Sequence, residues 1–250
     1  MTRLPYDLAP PIGHRANLGL VVLQTDETIE QEFRHLIPTD GVALYTTRIP
    51  SGADVTPETL AAMQSALPVA AGLLPPSVNF DVIGYACTSG ATIIGPNNVA
   101  AGIRQAATTR AVTDPLTATK TALDALDATR IGFVTPYSRP VSAAMREALE
   151  EHGIEIAAFA SFEEESDARV ARIDPKAIVD AAIHVAAQTP CDAIFLACTN
   201  LRALSVINAA EKSLGVPVFS SNLALAWHML RLAELPTHNQ SWGRLMQATA

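Results

Sequence analysis

Two features of the sequence predict an α/β fold of two similar lobes, each a mostly parallel sheet flanked by helices. Short apolar runs alternate with longer amphipathic stretches, a pattern typical of βαβ units. The chain also repeats itself, because residues 81–88 read Asp-Val-Ile-Gly-Tyr-Ala-Cys-Thr and residues 192–199 read Asp-Ala-Ile-Phe-Leu-Ala-Cys-Thr. A repeated strand and loop indicate two lobes related by a pseudo-two-fold axis.

The predicted strands are short continuous apolar runs, as expected where helices cover both faces of a sheet. They comprise residues 18–23, 42–46, 82–85, 111–113, 130–134, 155–159, 193–196 and 216–219. The predicted helices comprise residues 57–74, 115–127, 142–152, 175–188, 203–214 and 223–235. We expect the last helix to pack back on the first lobe. We therefore assign residues 17–114 and 222–250 to an N-terminal lobe and residues 115–221 to a C-terminal lobe.

Composition narrows the class of protein. The chain has 250 residues, of which 49% are hydrophobic, so it can bury a sizeable core. Its net charge is −8 with only 17 Lys and Arg, which argues against a nucleic-acid partner. Three cysteines cannot form a complete disulfide framework, and neither a signal peptide nor an apolar run of membrane-spanning length is visible. We expect a cytoplasmic homo-oligomer with no membrane partner.

The two repeated motifs place a cysteine where a ligand site is expected. Cys87 and Cys198 each end an apolar strand, and open parallel sheets bind ligands beyond the carboxyl ends of their strands. We expect a helix to begin after each cysteine, where free N–H groups can hold a substrate carboxylate and lower the thiol pKa. Further donors follow the two cysteines: Thr88, Ser89, Thr199 and Asn200. Cys191 has no counterpart in the repeat, so we interpret it as structural.

Other common site signatures are missing from the sequence. The six histidines form neither an HExxH motif nor a His-x-His pair, so we expect no metal site. There is no GxGxxG after a strand and no GxxxxGK[ST] loop, so neither NAD nor a nucleoside triphosphate is supported. We expect the protein to act without a cofactor.

The paired Cys-Thr motifs on duplicated lobes resemble the aspartate/glutamate racemase superfamily, and most closely its maleate cis-trans isomerases and arylmalonate decarboxylases. The resemblance covers about residues 18 to 235. It implies that Tyr137, which follows the fifth strand, contacts the substrate. The segment 22–30 looks most like a branch associated with ectoine utilisation.

Two positions depart from the maleate isomerase pattern. Asp26 and Asp167 stand where those enzymes have asparagines that help to bind a dicarboxylate. Ionised aspartates can only accept hydrogen bonds, so they suit an ammonium or amidinium group better than a second carboxylate. The alternative is that these aspartates are surface or helix-capping residues.

Two thiols on opposite sides of a small carboxylate suit two reactions. A thiolate can remove an α-proton while the opposite thiol returns one, which gives racemisation or epimerisation. A thiolate can instead add to an activated double bond, which then rotates, and elimination gives the trans isomer. A maleate isomerase proper, a decarboxylase of the arylmalonate type and a non-catalytic small-acid binding protein are the alternatives.

Overall fold

Two four-stranded parallel sheets form the framework of the protein. The structure, a computed structural model, describes residues 1–238 and 241–248. The strands are β1 (Ala16–Leu23), β2 (Val42–Ile49), β3 (Phe80–Ala86), β4 (Thr109–Thr113), β5 (Arg130–Thr135), β6 (Glu155–Ser161), β7 (Ala193–Leu196) and β8 (Val218–Ser220). The first sheet has the order β2-β1-β3-β4 and the second has the order β6-β5-β7-β8. The same order in both sheets confirms the predicted fold of two similar lobes, and each predicted strand overlaps an observed one.

Helices flank both sheets. They are α1 (Ile29–Leu36), α2 (Pro57–Ala62), α3 (Leu67–Ala71), α4 (Thr88–Ile94), α5 (Pro96–Arg104), α6 (Pro115–Ala125), α7 (Arg139–Glu150), α8 (Asp167–Val170), α9 (Pro175–Gln188), α10 (Ile207–Leu214) and α11 (Ser221–Leu232). Of the described residues, none belongs to a helix long and apolar enough to cross a membrane. The central strands are buried along almost their whole length, which explains their continuous apolar sequence.

The last helix crosses from one lobe to the other. α11 follows β8 of the second sheet, yet it packs on β3 and β4 of the first sheet and on α6. The predicted packing of this helix on the first lobe is therefore confirmed. The exact division of the chain into lobes stays a prediction, and residues 239–240 and 249–250 of the proposed N-terminal lobe lie outside the described residues.

Several helices differ from the sequence prediction. The single helix predicted over residues 57–74 is wrong, because α2 gives way to a 3₁₀ turn, Met63–Ala66, before α3 begins. Pro68 explains the break, since proline lacks an N–H and is tolerated only in the first turn of a helix. α1 and α5 were not predicted, although Pro96 in the first turn of α5 is a recognisable start signal.

Two loops join the lobes across the carboxyl ends of the strands. Asp54 and Ser166 form an isolated antiparallel bridge. Beside it, the Val55 N–H donates to the Glu165 carbonyl (2.9 Å), and the Asp167 N–H donates to the Ala53 carbonyl (3.2 Å). The edge at which ligands bind in parallel sheets is therefore covered by chain from both lobes.

Candidate active site

The two repeated cysteines lie at equivalent strand ends in different sheets. Cys87 follows β3 and is the N-cap residue of α4, whereas Cys198 follows β7. Both side chains are 4% exposed, and both are free thiols. Cys191, which precedes β7, is half-buried and also free.

Donors at the start of α4 surround the Cys87 sulfur. The Gly90 N–H donates to Sγ (3.2 Å), and the Ser89 hydroxyl lies 3.6 Å from it. Burial nevertheless raises the pKa of Cys87 to about 12, with Asp167 and Asp26 adding to the rise while Ser89 and Gly90 oppose it. The helix terminus acts in the predicted direction, but burial outweighs it in this closed arrangement.

Cys198 has a different backbone from Cys87. The prediction of a helix directly after it is wrong, since a turn follows and the next helical residues are Leu204–Val206. The φ angle of Cys198 is +119°, which redirects the chain and costs a non-glycine residue about 1–3 kcal/mol. Its N–H donates to the Ser221 hydroxyl (3.0 Å), and its sulfur accepts from the Asn200 N–H (3.3 Å). Burial and then Asp167 raise its pKa well above that of a free thiol.

Tyr137 lies between the two cysteine loops. It follows β5 and is 2% exposed. Its hydroxyl donates towards the Cys198 sulfur, which lowers the pKa of Cys198. Burial, followed by the charges of Cys198 and Cys87, raises the pKa of Tyr137 well above its usual value, while Ser89 opposes the rise. A neutral phenol within reach of both thiols can donate a hydrogen bond to an anion held there.

The two predicted aspartates are also buried beside the thiols, but their contacts differ. Asp26 Oδ1 accepts from the N–H groups of Thr28 and Ile29 (both 2.8 Å), as in a helix cap. Its Oδ2 is buried and has no hydrogen-bond partner within the described part of the chain. Burial raises the pKa of Asp26 to about 6; Ile29, Thr28 and Thr199 lower it, and Asp167 raises it. The capping alternative therefore accounts for Oδ1. Thr199 lies close enough to lower the pKa of Asp26, but its hydroxyl donates to the Ala86 carbonyl, so Oδ2 is left without a hydrogen bond of normal geometry from the described residues.

Asp167 is held by protein groups on both oxygens. Oδ1 accepts from the Asn200 amide (2.9 Å), and Oδ2 accepts from the Thr25 hydroxyl. The Asn200 amide also donates to the Asp167 carbonyl (3.0 Å) and accepts from the Glu27 N–H (2.9 Å). The Asn200 side chain is thus engaged in holding Asp167, and contact with substrate stays a prediction for both residues.

The threonines after the cysteines hold the two loops together. The Thr88 hydroxyl donates to the Ser221 hydroxyl (2.8 Å), and the Thr199 hydroxyl donates to the Ala86 carbonyl (3.4 Å). Each contact joins one lobe's cysteine loop to the other lobe's chain. Substrate binding by Thr88, Ser89 and Thr199 stays a prediction.

The sequence analysis missed a buried polar network behind the Cys198 loop. The Asn222 amide donates both to the Thr199 carbonyl and to Glu32 (both 2.8 Å), and Glu32 also accepts from the Leu204 N–H (2.9 Å). Burial raises the pKa of Glu32 to about 7. The available signal was the run Ser220-Ser221-Asn222 at the carboxyl end of β8, the sheet edge that carries Cys198.

The site is closed. The cavity beside Asp167, lined in part by Asp54, Val55 and Met63, measures about 10 Å³, which is roughly the space of one water molecule. Across residues 1–238 and 241–248, no group of three or more His, Cys, Asp or Glu side chains is placed to hold a metal ion.

Comparison with known proteins places this arrangement among characterised enzymes. The family model described as arylmalonate decarboxylase matches residues 96–246. The maleate isomerase of Nocardia farcinica is 28% identical over 240 residues, which cover 92% of this chain and 95% of that protein. The arylmalonate decarboxylase of Bordetella bronchiseptica is 32% identical over 118 residues, 47% of this chain and 49% of that protein.

Solved structures agree with the sequence relatives. A cysteine-to-alanine variant of the maleate isomerase Iso from Pseudomonas putida, with maleate, superposes with a TM-score of 0.82 at 25% identity, covering 94% of this chain and 98% of that one. A cysteine-to-serine variant of the Nocardia farcinica maleate cis-trans isomerase carries a covalently bound succinylcysteine intermediate; it superposes with a TM-score of 0.80 at 27% identity, covering 94% and 99%. The predicted fold and the predicted resemblance to maleate isomerases and arylmalonate decarboxylases are both confirmed, whereas the ectoine-utilisation branch stays a prediction.

Proposed function

Because the chain belongs to the arylmalonate decarboxylase family and shares its fold with maleate isomerases, we propose that it is a cofactor-independent isomerase of a small carboxylate. One observation carries the proposal. Two free, buried thiols lie on equivalent loops that are held together by hydrogen bonds to the Ser221 hydroxyl, and Tyr137 is buried close enough for both thiols to affect its pKa. Such a pair can supply one reacting group to each face of a substrate.

The surroundings of the two thiols suggest different roles. The Cys87 sulfur faces the Gly90 N–H and the Ser89 hydroxyl, which stabilise a thiolate. Besides burial, Asp167 raises the pKa of both thiols, but at Cys198 it outweighs each hydrogen bond to the sulfur, whereas at Cys87 the Ser89 and Gly90 hydrogen bonds outweigh it, so the neutral thiol is favoured more at Cys198. We therefore assign Cys87 as the attacking thiolate or base and Cys198 as the proton donor.

This division of roles accommodates both isomerisation chemistries. In racemisation or epimerisation, the Cys87 thiolate removes the α-proton and the Cys198 thiol delivers its proton to the opposite face. In cis-trans isomerisation, the Cys87 sulfur bonds to one alkene carbon while Cys198 protonates the other. The resulting single bond rotates, Cys198 takes the proton back, and the carbon–sulfur bond breaks. The succinylcysteine intermediate of the Nocardia farcinica relative supports the covalent route.

We propose further that the substrate carries a cationic nitrogen, as in an amino acid or a cyclic amidine carboxylate related to ectoine. The support is the unpartnered Asp26 Oδ2, which is buried beside both thiols together with Asp167. Buried carboxylates without a facing cation favour a cationic ligand and disfavour a second carboxylate. Maleate isomerisation proper is the alternative, and the similarity to the Nocardia farcinica maleate isomerase favours it.

Membership of the arylmalonate decarboxylase family favours one other reaction, decarboxylation. A thiol that protonates a carbanion could equally act after loss of carbon dioxide, as in a decarboxylase. A protein that binds a small acid in the same cleft without converting it is the remaining candidate. These candidates leave different products, so one experiment separates them.

The test is to incubate the protein in deuterium oxide with amino acids, cyclic amidine carboxylates, maleate and arylmalonates, and to follow each by NMR. Racemisation incorporates deuterium at the α-carbon, cis-trans isomerisation changes the alkene signals, and decarboxylation releases carbon dioxide. We expect the first or second outcome, and its loss in Cys87→Ala and Cys198→Ala. Decarboxylation alone, or binding without any reaction, would reject the proposal.

We also propose that the protein is a homo-oligomer. The segment of residues 1–12 exposes several large apolar side chains: Met1, Leu4, Tyr6, Leu8 and Ile12. Large exposed apolar surface is uncommon on monomers and marks interaction sites. Removing residues 2–12 should lower the molar mass measured by light scattering, whereas a monomeric full-length chain would contradict the proposal.

A further inference from the structure

Ser221 contacts both cysteine loops at once. It is the first residue of α11, directly after β8, and its side chain is fully buried. Its hydroxyl oxygen accepts from the Cys198 N–H (3.0 Å) and from the Thr88 hydroxyl (2.8 Å). Thr88 is the residue after Cys87, so a single oxygen atom links the loops that carry the two thiols.

The contact with Cys198 holds a backbone that would otherwise relax. Cys198 has a φ of +119°, in a region that side chains with a Cβ rarely adopt. Such conformations persist only when surrounding contacts fix them. The Cys198 N–H is buried, and Ser221 supplies its acceptor, so removing the hydroxyl leaves that donor unpaired.

The place of Ser221 in the fold extends this effect to both lobes. β8 belongs to the second sheet, whereas α11 packs on β3 and β4 of the first sheet. Ser221 therefore lies at the point where the chain passes from one lobe to the other. If the Cys198 loop shifts away from Thr88, one of the two hydrogen bonds that the Ser221 hydroxyl accepts must break.

We infer that Ser221 is a positioning residue that fixes the separation of the Cys87 and Cys198 loops and keeps Cys198 in its strained conformation. The inference rests on the proposed function for its catalytic consequence, because both thiols must face one substrate. Ser221 acts through its two neighbours and needs no contact with the substrate.

The chain offers a matched control in the preceding residue. Ser220 is also a fully buried serine, but its hydroxyl accepts from the Leu223 N–H (3.2 Å) and so caps α11. Ser220→Ala removes a helix cap without touching either cysteine loop. Ser221→Ala removes the link between the loops and leaves the cap in place.

The first measurement is turnover by Ser221→Ala and Ser220→Ala on the substrate identified by NMR. Misplacing a reacting group by about 1 Å can cost about 100-fold in rate, so we take about 10- to 100-fold as the expected loss. We expect Ser221→Ala to lower kcat by this amount with KM changed less than about threefold, and Ser220→Ala to lower the melting temperature with kcat nearly intact. A loss of kcat in Ser221→Ala no larger than that in Ser220→Ala overturns the inference.

The second measurement does not depend on activity. Iodoacetamide labelling, followed by peptide mass spectrometry, gives the alkylation rate of Cys198 relative to Cys191. Freeing the Cys198 loop should raise that ratio by about tenfold in Ser221→Ala, and Ser220→Ala should leave it unchanged. An unchanged ratio in Ser221→Ala overturns the inference whatever happens to turnover. A raised ratio in a protein that isomerises none of the substrates supports the positioning role and rejects the proposed function.

Discussion

The Gly90 N–H lies 3.2 Å from the Cys87 sulfur, and a Cβ atom at Gly90 would lie 2.9 Å from that same sulfur. The added carbon would also lie 2.6 Å from the Tyr85 hydroxyl oxygen, which is fixed in the core. Contacts this short cannot be accommodated unless the Cys87 sulfur and the Tyr85 hydroxyl both shift. Glycine is therefore required here for close approach, although its position is helical.

From this contact we predict that Gly90→Ala lowers isomerase activity by at least about tenfold, because near-attack geometry is sensitive to small displacements of a reacting group. Thr92→Ala is the control on the same helix, since its hydroxyl donates only to the Thr88 carbonyl within α4. Steady-state kinetics and the melting temperature of both variants check the prediction. Equal activity of the two variants would show that the Cys87 sulfur tolerates the shift.

The three cysteines should differ in reactivity and in their effect on turnover. Cys191 is half-buried, whereas Cys87 and Cys198 are 4% exposed with strongly raised pKa values. Because thiolates are the reactive form, we expect iodoacetamide to label Cys191 first without loss of activity, and activity to fall only as the other two react. Cys191→Ser should remain active, and dialysis against EDTA should leave the activity unchanged. Inactivation in step with Cys191 labelling would contradict the assigned roles.

Tyr137 should contribute to turnover more than to stability. Its hydroxyl donates towards the Cys198 sulfur and lies near Ser89, so Tyr137→Phe removes a donor from the site while the ring stays packed. We expect kcat to fall roughly 10- to 100-fold, since a single donor to a developing anion contributes up to about 10³-fold. Tyr45→Phe on β2 is the control, because its half-buried ring packs edge-on against Phe80. A lowered melting temperature with normal kcat would show a purely structural role for Tyr137.

Sequence reasoning located the two thiols because their signal is local and repeated. Each Ala-Cys-Thr motif ends an apolar strand, and parallel strands bring their carboxyl ends to one edge, which fixes where Cys87 and Cys198 lie. The backbone of Cys198 could not be predicted, because its positive φ depends on contacts with Ser221 and Asn200. Contacts between residues that are distant in the sequence leave no periodic pattern in the sequence from which they could be predicted.

The burial of Glu32 could not be predicted from the sequence for a related reason. Glu32 lies in an amphipathic helix with acidic residues in its first turn, which is typical of a solvated face. Its burial depends on Asn222, 190 positions further along the chain. Nothing local in the sequence around Glu32 therefore indicates that this acid is enclosed.

The buried Glu32 predicts a particular dependence of stability on pH. Its pKa rises from 4.5 to about 7 on folding, so the folded state retains a proton that the unfolded state releases. The contribution of Glu32 to the free energy of unfolding is therefore fully present below pH 4.5. It is lost as the pH rises to about 7, because the unfolded chain releases the proton first. The expected loss is about 3 kcal/mol relative to Glu32→Gln, which cannot titrate. Denaturant unfolding of both proteins between pH 4.5 and 8 checks this prediction. Glu30→Gln on the same helix is the control, because Glu30 is half-buried and pairs with Arg48. Parallel curves of stability against pH for wild type and Glu32→Gln would contradict the prediction.

The last prediction concerns the charge of the substrate, and the two aspartates allow their contributions to be separated. Asp26 Oδ2 lacks a partner among the described residues, whereas both oxygens of Asp167 accept hydrogen bonds from the protein. Asp26 should therefore contact the cationic nitrogen directly, and Asp167 should act mainly through its charge.

A neutral amide at Asp26 would remove the acceptor for the nitrogen and offer a donor to a carboxylate instead. We expect Asp26→Asn to weaken binding of the cationic substrate by about 10- to 100-fold and to improve maleate binding, because a charged hydrogen-bonded pair contributes about 1.5–3 kcal/mol. Asp167→Asn should change both affinities less, and the double variant should bind maleate best. Calorimetry at fixed ionic strength gives the affinities for maleate and for a panel of amino and amidine acids. The proteins compared are the wild type, the two single variants and the double variant. Efficient turnover of maleate by the unmodified protein would contradict the charge argument and favour a maleate isomerase proper, because the buried carboxylates of Asp26 and Asp167 should repel the second carboxylate of that substrate.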